Sequence, residues 1–178
     1  MILNNFSKNH LILFGVNKLN KSEEKFYNSM VIINNNFEII QSYNKRKLVP
    51  FGEFLPFENF LNNFGLKKIT EGHGSFLRGV SNNNLLEDKL NILPLICYEV
   101  IFTEFIQKAD PNSNLVINIS EDGWFGQSIG PKQHFVHSIF RAIESGKYVI
   151  RSANNGIAGI VNPLGVVEQS VEFGKSGY

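Results

Sequence analysis

Along the chain, apolar residues fall into short runs separated by polar, Asn- and Gly-rich stretches, a spacing that predicts many strands and few helices. His10–Val16 is the first such run, and Asn17–Lys25 reads as a polar loop. Phe26–Ile33 and Phe37–Tyr43 follow as two strands of a hairpin. Asn34-Asn35-Asn36 supplies its turn, since Asn tolerates left-handed geometry. Glu53–Phe64, after Pro50, mixes Phe, Leu and Asn and predicts a short helix, and Gly65–Asp88 reads as an irregular excursion.

The second half alternates more regularly. Leu90–Cys97 is a continuous apolar strand of the kind buried on both faces. Phe102–Lys108 predicts a helix that stops before Asp110-Pro111, and Leu115–Ile119 is a third apolar strand. From Pro131 to Lys147, Phe135, Ile139, Phe140 and Ile143 fall on one helical stripe, with Pro131 in the first turn and Gly146 near the end. Tyr148–Arg151, Ala158–Asn162 and Val166–Ser170 close the pattern as strands, the last two around Pro163-Leu164-Gly165. Strands alternating with helices argue an α/β fold. With no internal repeat and no linker, residues 1–178 read as one domain.

Composition narrows the function classes. A hydrophobic content of 43% against 19% charged residues fits a globular chain. Seventeen basic against 16 acidic residues leave no electrostatic footprint for nucleic acid, and Lys45-Arg46-Lys47 reads as a solvated face. No run approaches the roughly 18 apolar residues of a membrane span. Met1-Ile2-Leu3-Asn4-Asn5 has neither the basic lead nor the apolar stretch of a secretory signal. The one cysteine, Cys97, excludes an internal disulfide.

Cys97 ends the apolar run Leu93-Pro94-Leu95-Ile96, with Glu99 two residues on. Taken alone, such a thiol is most simply an inert core side chain. A Cys–His pair would draw on His10, His73, His134 or His137, none of which lies in a recognisable protease context. His134 and His137, three apart on the predicted helix, suit zinc but lack an evident third ligand. Gly126-Gln-Ser-Ile-Gly130-Pro-Lys132 has the glycines of a phosphate loop without the Lys-Ser/Thr that should follow, so that match fails. The remaining set is Cys97, Lys45 and Glu53: a thiol, an amine and a carboxylate, the parts that form and resolve an acyl-enzyme.

Three blocks carry a resemblance. They are Tyr43-Asn-Lys-Arg-Lys-Leu-Val-Pro-Phe-Gly-Glu-Phe-Leu-Pro56, Ile96-Cys-Tyr-Glu-Val-Ile-Phe102, and the stretch from Asn118 through Glu121-Asp-Gly-Trp-Phe-Gly-Gln-Ser-Ile-Gly-Pro131 and His134 to Arg141-Ala-Ile-Glu144 and Arg151-Ser-Ala-Asn-Asn-Gly156. In order and spacing the chain resembles the apolipoprotein N-acyltransferase family, whose catalytic domain belongs to the nitrilase (carbon–nitrogen hydrolase) superfamily. The resemblance implies an αββα sandwich, with Cys97 at a strand-to-helix elbow. It implies Cys97 as nucleophile, Lys45 as catalytic lysine and Glu53 as a supporting carboxylate. Tyr98, Glu99 and Trp124 would belong to the substrate-binding or oxyanion surroundings.

It also implies an acyl chain taken from a phospholipid, held as a thioester and passed to the N-terminal cysteine amine of a bacterial lipoprotein, with no metal or organic cofactor. The family places this domain on the periplasmic face of the inner membrane, through helices not seen here. The competing class is a soluble amidase or nitrilase, in which water resolves the thioester. Two departures from the family pattern stand out. The family's base, a Glu after a Pro at a strand end, has no match, because Glu23 and Glu24 lie in a polar loop. Glu121 also stands where the family has Asn. The expectation is a nitrilase-like domain truncated at both ends and inactive or nearly so alone. It would be a remnant of a split gene, or half of an enzyme completed by an upstream polypeptide.

Overall fold

A computed structural model describes residues 10–57, 75–80, 84–87 and 89–177. The chain forms two compact units, Met1–Ser81 and Asn82–Tyr178.

The first unit is an antiparallel three-stranded sheet, β1 (Ile12–Asn20), β2 (Lys25–Ile33) and β3 (Ile39–Asn44), in the order β1-β2-β3. The expected loop over Asn17–Lys25 is mostly strand. Cross-strand pairing from Ile12↔Ile33 to Asn20↔Lys25 carries polar residues along an edge strand, where they reach water. The turn is only Lys21–Glu24, begun by Asn20 Oδ1 accepting from the Ser22 N–H at 3.1 Å. The β2–β3 hairpin forms as expected. Asn34 Oδ1 accepts from the N–H groups of Asn36 (2.9 Å) and Glu38 (3.0 Å), and Phe37 takes a positive φ of 62°.

After β3 the predicted helix over Glu53–Phe64 is replaced, in its described part, by turns and a Pro50–Phe54 bridge; 58–64 lie outside the described residues. Phe51 (φ 61°) and Phe57 (φ 53°) are left-handed, which a helix excludes. Within the predicted excursion, 65–74, 81–83 and 88 lie outside the described residues. Its described part includes Gly79, whose N–H bonds the Lys45 carbonyl at 2.8 Å and whose Cβ, if present, would overlap the Asn44 carbonyl. It also includes a short strand, β4 (Leu85–Glu87).

The second unit is a six-stranded sheet in chain order: β4, β5 (Leu90–Ile96), β6 (Leu115–Glu121), β7 (Tyr148–Asn154), β8 (Ala158–Val161) and β9 (Val167–Val171). β5, β6 and β7 are parallel, and the flanking pairs are antiparallel. The helix expected over Phe102–Lys108 is present as the short α1 (Glu104–Gln107), and a 3-10 turn (Cys97–Ile101) precedes it. A second 3-10 turn spans Gly123–Phe125.

The long helix α2 (Gly130–Ser145) begins with Pro131 in its first turn and ends on Gly146, which caps it at φ 64°. Leu93, Leu95, Val100, Phe105, Val116, Phe135, Ala142, Val149 and Val161 form the core. The buried face of α2 differs from the predicted stripe. Phe135 is buried and Ile139 packs on the core, but Phe140 and Ile143 are exposed, and His134, Ser138 and Arg141 take the inner positions. The buried Asp122–His134–Arg151 network beneath that face accounts for the rotation.

Candidate active site

Parallel strands end together at their carboxyl edge, and the side chains just beyond them form the crevice in which α/β proteins do chemistry. Cys97 is the first residue past β5 and adopts φ 49°. A left-handed conformation in a residue with a Cβ stores of order 1–3 kcal/mol and persists only when its surroundings impose it. Glu99, fully buried, accepts from the Ile96 N–H through Oε2 at 2.8 Å. Asn118 Nδ2 donates to the Leu95 carbonyl at 3.0 Å. The chain is thus clamped on both sides of the turn. The half-buried thiol lies 3.9 Å from the Glu121 carbonyl. The expected strand-to-helix elbow is present, with a 3-10 turn for the helix. The Tyr98 N–H, in its first turn, has no acceptor within that turn. The Tyr98 ring meets Phe102 edge-on at 4.9 Å. Glu99 lies under the elbow as its brace.

In the first unit, Lys45 follows β3 and is buried, 1% exposed; with Arg46 and Lys47 half-buried, the run is not the solvated face that composition suggests. Its N–H donates to the Asn28 carbonyl at 2.8 Å, and its Nζ lies 2.8 Å from Glu53 Oε2. Glu53 also accepts from the Val49 N–H (2.8 Å) and from Asn28 Nδ2 (2.7 Å). Three donors on one carboxylate make Glu53 a fixed counter-ion, which a buried ammonium requires. Among the described residues Glu53 is the acceptor for Nζ.

Motif reading assigned no role to a buried polar network at the ends of β6 and β7. The Asp122 carboxylate, fully buried, receives Arg151 Nη2 at 2.7 and 3.0 Å and the Ser120 hydroxyl at 2.7 Å, and lies 2.9 Å from His134 Nδ1. Arg151 also donates through Nη1 to Asn118 Oδ1 and through Nε to the Ile157 carbonyl at 3.1 Å. Burial pushes the Asp122 carboxyl upward, but hydrogen bonds from His134 and Ser120 and the Arg151 charge outweigh it and hold the group below its ordinary range. Burial likewise lowers Arg151, against the attraction of Asp122 and then of Cys97. The sequence signal was a single polar residue in each of two apolar runs, Asn118 and Arg151, which pair in register.

Glu121 does not present a loose negative charge. Its carboxylate accepts from the Gly123 N–H (2.7 Å), Asn154 Nδ2 (2.8 Å) and Asn155 Nδ2 (3.1 Å), clasping the turn after β6 to the loop after β7. Trp124 stands exposed on the 3-10 turn that follows. His134 is committed to Asp122, while His137 is half-buried against Phe140 at 6.2 Å, its pKa lowered by burial, by Arg141 and by His134. Among the described residues no three His, Cys, Asp or Glu side chains could hold a metal ion. His10 is exposed, and His73 lies outside the described residues.

Comparison with known proteins bears on the family and the fold. The carbon-nitrogen hydrolase family profile matches residues 5–174. Relatives named apolipoprotein N-acyltransferase include that of Rhizobium leguminosarum bv. trifolii, 41% identical over 155 residues, and that of Brucella suis, 40% identical over 156. These matches take in 86% and 87% of this chain but 29% of each relative, so the chain spans under a third of their length. Among solved structures, the Nesterenkonia AN1 amidase of the nitrilase superfamily superposes with TM-score 0.65 at 16% identity, over 92% of this chain and 58% of that one. Saccharomyces cerevisiae Nit3 does so with TM-score 0.67 at 18% identity, over 91% and 55%. At such identities the likeness speaks for the fold, which is nitrilase-like. With its profile match running almost end to end, the chain belongs to the carbon-nitrogen hydrolase family.

Proposed function

We propose that residues 1–178 are part of one carbon–nitrogen hydrolase domain of an apolipoprotein N-acyltransferase, in which Cys97 carries an acyl group from a phospholipid to the N-terminal amine of a lipoprotein. The observation that carries the reading is the clamped, left-handed Cys97 at the end of a central parallel strand. Identity near 40% to the acyltransferases, against 16–18% to the amidase and Nit3, favours transfer over hydrolysis.

In the proposed first step the Cys97 thiolate attacks the phospholipid ester carbonyl. A C–S bond forms, the ester C–O bond breaks, and the lysophospholipid leaves with a proton. The amine then attacks the thioester, a C–N bond forms, the C–S bond breaks, and the proton lost by the amine returns Cys97 to the thiol. Lys45, a role carried by the resemblance, stabilises the thiolate and the oxyanion, together with the Tyr98 N–H. Tyr98 and Trp124 are proposed to border the substrate, and Glu99 to hold the elbow.

Glu53, with three donors already on its carboxylate, is a counter-ion and not the base that takes the Cys97 proton. No residue here matches the family's base, so the purified chain is expected to acylate slowly. Both substrates are lipid-anchored, which places the proposed reaction at a bilayer, at the periplasmic face of the inner membrane by family resemblance. Among the described residues no helix is long and apolar enough to cross a membrane.

The test is to incubate the chain with phospholipid and follow its intact mass. A hydroxylamine-labile acyl adduct on Cys97, absent from Cys97→Ala and discharged by a diacylglyceryl lipopeptide, is expected. Discharge to free fatty acid at the same rate without lipopeptide would identify a hydrolase. Rapid stoichiometric acylation would overturn the missing-base argument.

A further inference from the structure

Leu95, Asn118 and Arg151 occupy one rung across the three parallel strands, two residues before the Cys97 elbow. A hydrogen-bonded line runs along that rung, from Arg151 Nη1 to Asn118 Oδ1 and from Asn118 Nδ2 to the Leu95 carbonyl. The other arm of the guanidinium holds Asp122, whose N–H is fixed by the Asn154 carbonyl at 2.9 Å. The residue before Asp122 is Glu121, whose carbonyl lies 3.9 Å from the Cys97 sulfur. A buried Arg–Asp pair is an inefficient way to stabilise a sheet, since apolar side chains of similar volume do at least as well.

We propose that Arg151 is a positioning residue for Cys97, fixing through Asn118 and Asp122 the two backbone segments that frame the sulfur. The inference rests on Cys97 being the nucleophile. It adds a residue and a purpose that no catalytic set of Cys97, Lys45 and Glu53 contains. The Arg151 and Asp122 side chains are both fully buried and meet at 2.7 Å, so they hold the two segments as one unit.

Iodoacetamide alkylation of the purified 178-residue chain tests this, because Cys97 is its only thiol. Rates followed by mass at one pH are expected to fall about tenfold in Arg151→Met, because a small displacement of a nucleophile slows its attack. Arg151→Lys, which can restore one of the two hydrogen bonds but not the fork, should lie between Arg151→Met and wild type. Asp122→Asn, which loosens the same frame, should also alkylate more slowly. Val149→Ala, on the same strand and fully buried but outside the hydrogen-bonded line, lowers stability and should keep a rate within about twofold of wild type. A wild-type rate in Arg151→Met, or a loss in Val149→Ala as large as in Arg151→Met, overturns the proposal. If circular dichroism shows Arg151→Met unfolded, Asp122→Asn decides by itself, a wild-type rate being the negative result. Acyl transfer surviving in Cys97→Ala would sink the nucleophile reading separately, without altering these rates.

Discussion

Replacing Cys97 by glycine should give a more stable protein than replacing it by alanine, although glycine is ordinarily the worse choice. Both variants lose the sulfur and its 3.9 Å contact with the Glu121 carbonyl, so the comparison isolates the backbone. At φ 49° an L-residue carries about 1–2 kcal/mol of left-handed strain that glycine does not. Glycine gives back about 0.5–1 kcal/mol through the greater freedom of its unfolded chain. The alanine methyl recovers a few tenths more, because the site is only half-buried. The balance favours Cys97→Gly by roughly 0.5 kcal/mol, or about 1–2 °C in Tm for a chain of this length. Urea titration of both variants, with the midpoint and slope fitted together, is the assay. At a position in the ordinary extended or helical region the sign would be reversed. A Cys97→Ala midpoint above that of Cys97→Gly, at equal slope, would therefore show that the elbow is not strained.

Three further outcomes follow from the site. Asp122 has its folded-state pKa held below the unfolded value of about 3.9, so its stabilising contribution is complete above that pH and disappears as pH falls through the folded value. Urea midpoints from pH 7 to pH 2.5 should fall steeply below about pH 4 in wild type and more gently in Asp122→Asn, parallel acid limbs counting against the argument. Glu53→Gln should cost about 3 kcal/mol by stranding the buried Lys45, with Lys45→Met/Glu53→Gln less damaged than the sum of its parts; additive losses in a double-mutant cycle would contradict the pairing. Gly79→Ala should destabilise by about 2 kcal/mol, seen as a lowered Tm, because its Cβ meets the Asn44 carbonyl beside Lys45.

The sequence by itself determined many of the local elements and marked the candidate positions for chemistry. Continuous apolar runs were enough to mark β5 and β6, of which β5 is buried on both faces from Ile92 to Ile96 while β6 alternates buried and half-buried positions. Pro131 and Gly146 bound α2 because one lacks an N–H that a first turn does not use and the other tolerates the left-handed cap. Cys97, Lys45 and Glu53 were marked as candidates by their neighbours in the three family-like blocks, and the elbow was expected from the same resemblance. Tertiary structure alone decided how polar groups are paired. Asn118 and Arg151 are 33 residues apart and meet only through the β6–β7 register, which hydrogen bonding between strands sets and periodicity does not encode. The resulting Asp122–Arg151–His134 network turns α2 so that His134 and Arg141 lie inward and Phe140 and Ile143 outward, against its apolar stripe. The same reason explains Glu53, which looked like the start of a helix. Its carboxylate instead closes on Val49, Asn28 and Lys45, because a buried ammonium without a partner is worse than a missing helical turn.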